Sequence, residues 1–398
     1  MKTRRFDPRT FSMIMILCAL WIFFRIQVGG FYFSGDSVSN LTRDMATWAI
    51  LAAGMTLVIV AGHIDLSVGS LMAVVTASCA YMLDPEYGKG WSATAAVPLA
   101  LLIGATIGCL QGVLVAAFKI PAFIVTLGGL FVYRGITQKV SARDPRVPED
   151  SWVTAFGFEY LPPSAGWTVG ISVCALIALV VAWNRVQSRR RGLDVESIGI
   201  TIAKAIVPGV VILGFVHKVN ASKGVSYQTL VMATVLAALY VVSRHTRFGR
   251  HVYAIGGNPE AARLSGINVG RSIVGVFTIM GLLAGVAGVL WMAQNQGATK
   301  NAGTWYELYA IAACVIGGAS LMGGRGTIFG TLLGALVMAT VIQGMDYTDL
   351  DNWMQLVVRG SVLVIAVGID IATKDPPRWM RRLRVERRKP EQGDQSDG

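Results

Sequence analysis

Residues 244–271 read RHTRFGRHVYAIGGNPEAARLSGINVGR, a polar and basic island between two long apolar runs at 226–243 and 271–294. Inside the island, Asn258 stands where a helix N-cap belongs. Pro259 follows at the first helical position, and Glu260 falls in the first turn, near the positive end of the helix dipole. Ala261, Ala262, Arg263 and Leu264 are good helix formers, and Gly266 supplies a left-handed stop. The pattern predicts a helix of about two turns, displayed between two membrane spans. From these residues alone, two readings stand: a docking element for a partner, or a solvated linker.

The rest of the chain repeats the alternation. Of 398 residues, 54% are hydrophobic and only 15% charged, and the mean hydropathy is +0.56; a soluble domain carries about 25% charge. Windows of near-zero charge recur from end to end. That predicts an all-α, polytopic transmembrane helical bundle and excludes a β-barrel, which would show alternating segments of about ten residues. Expected spans are 11–28, 42–61, 65–84, 94–117, 121–137, 167–185, 199–217, 226–243, 271–294, 306–321, 326–345 and 355–373, a count of about 10–12. The two shortest, 121–137 and 306–321, are the candidates for re-entrant segments. Glycines four apart, as in Gly104-x3-Gly108-x3-Gly112, Gly281-x3-Gly285 and Gly326-x3-Gly330-x3-Gly334, predict close helix packing.

Charge sets the orientation. The net charge is +12. Lys and Arg collect at the start, at Arg185–Arg191, across 244–271 and in 374–398, while acids such as Asp84, Glu86, Glu149, Asp150 and Asp346 collect in the alternate loops. The positive-inside rule then places both termini and the 244–271 loop in the cytoplasm. Residues 1–373 form the membrane domain, and 374–398 a basic, polar cytoplasmic tail. The basic residues serve topology, and no interleaved aromatic–basic face points to nucleic acid. The five cysteines form no C-x-x-C pair and the four histidines no H-E-x-x-H pair, so no metal site is expected. No G-x-x-x-x-G-K-[ST] is present, so the chain has no phosphate cradle of its own.

Three more stretches carry information. Gly62–Ser70 reads GHIDLSVGS, Pro121–Gly128 reads PAFIVTLG, and Glu307–Gly318 reads ELYAIAACVIGG, followed by GGRG at 323–326. Asp65 is placed to cap the next helix, and Thr126 to line a polar wall. Glu307, an acid at the mouth of an apolar run, is either a cap or a pathway residue.

Together with FGRHVYAIGGNPEAARLSGI, these motifs resemble sugar permeases of ATP-binding-cassette (ABC) importers, of the ribose/xylose branch, over roughly 40–372. Residues 138–225 look like an insertion with two extra spans, similar to the long, xylose-type form. One departure is His63, where the family pattern carries an acid. The resemblance implies a monosaccharide permease, xylose first, of the bacterial inner membrane, working as a homodimer. A separate ABC ATPase chain would hold ATP and Mg2+, with no cofactor in this chain, and a periplasmic sugar-binding protein would deliver the ligand. Asn258, Pro259, Glu260, Ala261, Ala262, Arg263, Leu264 and Gly266 would then form the ATPase-coupling helix, inserted in a groove of that partner. Asp65, Ser67, Thr126 and Glu307 are the candidate pathway residues.

A neutral sugar calls for hydroxyl partners rather than buried charge, and the expected mid-spans are nearly free of ionisable residues; Lys204 and Arg359 are exceptions that can snorkel. An ion-coupled secondary sugar transporter is the alternative. It would call for buried Asp or Glu, and Asp65, Glu307 and Asp370 all fall near span ends. A polytopic enzyme would need a clustered His, Cys or acid site, and none is visible.

Overall fold

A computed structural model describes residues 8–192, 195, 197–348 and 350–374. The basic residues Lys2, Arg4 and Arg5 and the tail from 375 onward lie outside the described residues. Among the described residues there is no strand, and fifteen α-helices follow in order. They are α1 (Pro8–Val28), α2 (Gly35–Val60), α3 (Val68–Leu83), α4 (Ala93–Ala116), α5 (Ala122–Val140), α6 (Trp152–Phe158), α7 (Pro163–Arg190) and α8 (Ile198–Asn220). Then come α9 (Tyr227–His245), α10 (Arg247–Gly257), α11 (Pro259–Leu264), α12 (Val269–Asn295), α13 (Tyr306–Ile316), α14 (Ile328–Tyr347) and α15 (Asn352–Lys374). The helix α15 belongs to a separate unit that begins at Asp351.

Each of the twelve expected spans falls on a helix, and among the described residues eight helices are long and apolar enough to cross a membrane. Of the remaining four, α3, α5 and α13 depart for physical reasons. The helix α5 carries Tyr133, Arg134, Thr137, Gln138 and Lys139 in its second half. The helices α3 and α13 are apolar but short. At 1.5 Å per residue, the 11 residues of α13 span only about 16 Å, half of a hydrocarbon core of about 30 Å. A helix of that length is too short to form the full span expected at 306–321.

The helix α2 is the centre of the bundle. Every residue from Met45 to Val60 is buried, as a helix that is apolar on all sides requires. It packs against α9, α12, α13 and α14. Close packing elsewhere rests on the spaced glycines. A Cβ at Gly281 would stand 2.2 Å from the Gly104 carbonyl, and one at Gly108 would stand 2.3 Å from that of Phe277. The backbones of α4 and α12 therefore touch. The segment 138–225 holds α6, α7 and α8, with α7 and α8 paired along their length.

At the end of α3 a single carboxylate ties two loops. Asp84 Oδ1 accepts from the backbone N–H of Glu86 (2.7 Å) and Tyr87 (2.9 Å), and Oδ2 from that of Arg146 (2.8 Å). Arg146 in turn bridges Gly297. Burial pushes the Asp84 carboxyl up, but these N–H donors, helped by the Arg146 charge, outweigh burial and hold it below the usual carboxylate range.

Candidate translocation site and docking helix

The chain between α2 and α3 is not helical, and its cause is local. Gly62 takes φ +84°, and the N–H groups of Gly62 and His63 return to the carbonyls of Ile59 and Val58. This is a Schellman stop, which only a residue tolerant of positive φ completes without strain. The next residues carry Asp65 into the protein, where it is 0% exposed. Its Oδ1 accepts from Ser67 N–H at 2.8 Å and from Ser67 Oγ at 2.7 Å. The expectation that Asp65 caps α3 is thereby corrected. The N-cap position belongs to Ser67, whose side chain makes no cap bond, and Asp65, two residues before it, closes a turn onto Ser67 instead.

A third helix completes the cluster. Gln111 of α4 donates from Nε2 to Ser67 Oγ at 2.8 Å. Thr126 of α5, also fully buried, has its hydroxyl 3.4 Å from the carbonyl of Ile64, the residue before Asp65. Glu307, in the first turn of α13, is 7% exposed and lies against the backbone of Gly69. Asp65 and Arg134 both lie within charge range of Glu307. Arg134 itself donates to the Ala302 carbonyl at 2.7 Å. So Asp65 and Ser67, Thr126 and Glu307, from three separate stretches of the sequence, come to one neighbourhood where a broken segment meets a half-length helix.

Two acids are therefore buried, against the expectation that the pathway holds no buried charge. They fall at helix breaks near the expected span ends, but the short α3 and α13 begin inside the protein. Four buried atoms of the cluster have no hydrogen-bond partner: Asp65 Oδ2, Gln111 Oε1, Glu307 Oε2 and Ser70 Oγ. The first three are acceptors, and the fourth can accept or donate. Among the described residues no group of His, Cys, Asp and Glu could hold a metal ion. The sequence reading missed Gln111, although an amide inside the apolar run 94–117 is a signal. It also missed Arg134, which only the fold brings to Glu307.

The helix α11 forms where the sequence predicts it. Asn258 Oδ1 accepts from the N–H groups of Glu260 and Ala261, both at 3.0 Å, and Pro259 is the first helical residue. Gly266, at φ +80°, completes a second Schellman stop with Ile267. Ala262 is 4% exposed and faces its own chain, whereas Leu264 is 83% exposed, with Glu260, Ala261 and Arg263 beside it. Of the eight residues expected to form a coupling helix, Ala262 is therefore not on the exposed face, which Leu264 and its neighbours form. The sequence reading also missed α10. Thr246 caps it, and Gly249, Val252 and Ile255 bury one face, a three-residue period that was legible. A cavity of about 550 Å³ beside α11 is lined by His63, Lys119, Pro121, Arg263 and Gly270 among others, so three of the sequence motifs meet there.

Long apolar helices around a broken segment and a half-length helix, with buried acids where the two meet, define a polytopic membrane transport protein. The model of the family described as the permease component of the branched-chain amino acid transport system matches residues 37–367, and the chain belongs to that family. It is 38% identical to the xylose transport system permease protein XylH of Escherichia coli K12 over 371 residues, 92% of each chain. Identity to XylH of Haemophilus influenzae is 37%, covering 94% of this chain and 99% of the relative. Identity to the ribose import permease protein RbsC of Escherichia coli K12 is 35%, covering 85% and 87%. No solved structure matches. The protein is a multi-pass permease subunit of the bacterial inner membrane.

Proposed function

We propose that this chain carries a monosaccharide, D-xylose, inward as the membrane subunit of an ABC importer. The observation that carries the sugar reading is the set of unpaired acceptors, Asp65 Oδ2, Gln111 Oε1 and Glu307 Oε2. A buried acceptor without a donor is costly, and a polyol supplies several O–H donors at once. A branched-chain amino acid brings a carboxylate instead. Its carboxylate would face the two acids Asp65 and Glu307, which offer acceptors and like charge. Similarity to the xylose permeases supports the same choice.

ATP and Mg2+ belong to a separate ATPase chain, which the exposed face of α11 contacts. A periplasmic sugar-binding protein delivers the ligand, and two copies of the permease work together. ATP binding closes the ATPase pair and moves α11, and the membrane helices exchange outward for inward access. In this scheme Asp65, Ser67, Thr126 and Glu307 line the route, and their acceptors hold the sugar hydroxyls in passing. The test is reconstitution in proteoliposomes with the ATPase and binding protein. ATP-dependent accumulation of labelled xylose supports the reading. Accumulation of labelled leucine in place of xylose contradicts it, as does uptake driven by an ion gradient without ATP.

A further inference from the structure

The last turn of α2 leaves one carbonyl without a partner inside its own helix. The carbonyls of Leu57, Val58 and Ile59 are taken by the N–H groups of Ala61, His63 and Gly62. Val60 O accepts instead from Gly324 N–H, at 2.9 Å, in the turn that follows α13. Gly256 of α10 is pressed onto the same spot. A Cβ there would stand 1.6 Å from Val60 O and 2.6 Å from Gly324 N. Beside it, the Tyr253 hydroxyl donates to the Gly326 carbonyl at 2.7 Å.

Three backbones meet at this point, and each leads to a part already described. The helix α10 passes straight into α11 through the Asn258 cap. From Val60 the chain runs five residues to Asp65. From the 318–326 turn, α13 runs back to Glu307. We infer that Gly256, with Tyr253 beside it, is a positioning joint that ties the docking helix to both acid-bearing walls of the polar cluster. Close-packed backbone passes on a displacement that flexible side chains would absorb. The inference rests on α11 being the ATPase contact.

The test uses the whole importer in proteoliposomes and reads sugar moved per ATP hydrolysed. The variants are Gly256→Ala, Tyr253→Phe and, as a control, Gly257→Ala, where a Cβ would meet nothing within 4 Å. Tyr253→Phe should lower the ratio by about two- to tenfold, the span of one hydrogen bond's net worth. Gly256→Ala should lower it at least as far, and Gly257→Ala should leave it unchanged. All three should keep the ATPase bound and hydrolysing. A wild-type ratio in Tyr253→Phe overturns the joint, as does an equal fall in Gly257→Ala. If Gly256→Ala fails to reach the membrane, Tyr253→Phe decides. Leu264→Glu, run alongside, reports on the docking helix alone: retention of the ATPase with full transport would refute the α11 contact and leave the ratio in Tyr253→Phe to judge the joint.

Discussion

Glu307 Oε2 lies so close over Gly69 that a Cβ on that glycine would stand 2.2 Å from it. The second residue of α3 must be glycine for the acid of α13 to occupy its place. The Gly303 carbonyl crowds the same position at 2.5 Å. Gly69→Ala should therefore displace Glu307 and cost about 1–3 kcal/mol, as overpacking does. Uptake of labelled sugar, normalised to the amount of permease in the membrane, checks this. Transport should fall well below the fall in protein level. Wild-type uptake would show that the contact is not needed.

Asp84 gives a pH signature. Its carboxyl titrates lower in the folded protein than in the unfolded chain, so its contribution is present above the unfolded value of about 3.9. It is lost as pH falls through the folded value. Asp84→Ala leaves three backbone donors unpaired and should destabilise by about 1–3 kcal/mol. In detergent, the Tm gap between wild type and variant should be widest near pH 7 and should shrink below about pH 4. A gap that does not vary with pH would contradict the assignment.

The exposed face of α11 separates docking from linking. Leu264→Glu changes a side chain that touches little of its own chain, so the permease should reach the membrane in normal amount and fail to co-purify its ATPase. Ala262→Asp is a different experiment, because Ala262 is packed inward. An unpaired buried charge there should lower the permease level itself. Asn258→Ala removes both cap bonds and should weaken the helix by about 1 kcal/mol, with partial loss of ATPase binding. Full ATPase recovery with Leu264→Glu would favour the bare linker.

The basic and acidic loops predict an orientation that labelling can check. Cysteines placed at the exposed Tyr87 and Leu264 should label from opposite sides, Tyr87→Cys from the periplasm and Leu264→Cys only after the membrane is opened. Labelling of Leu264→Cys in intact cells would invert the topology.

The sequence shows most of the helices because apolar windows and charged breaks are strong local signals. It also shows α11, whose cap, Pro259 and Gly266 are chemically specific. It hides depth. Asp65 and Glu307 look like surface residues because each sits at a break in hydropathy, and nothing local says that the break lies inside the bundle. The burial of Ala262 and exposure of Leu264 depend on what α11 rests against, which no local pattern states. The contact of Gly256 with Val60 joins residues 196 positions apart, and a glycine in a polar loop gives no hint of it.

On the proposed function, the buried acids Asp65 and Glu307 line the route of the sugar. The most direct measurement is ATP-driven xylose uptake into proteoliposomes by Asp65→Asn and Glu307→Gln, which keep size and remove charge and one acceptor. The ATPase rate in the same vesicles reports whether the complex is intact. The expected result is uptake lowered about tenfold or more, the loss of one charge-assisted hydrogen bond, with ATP hydrolysis retained. Wild-type uptake in both variants would contradict the claim.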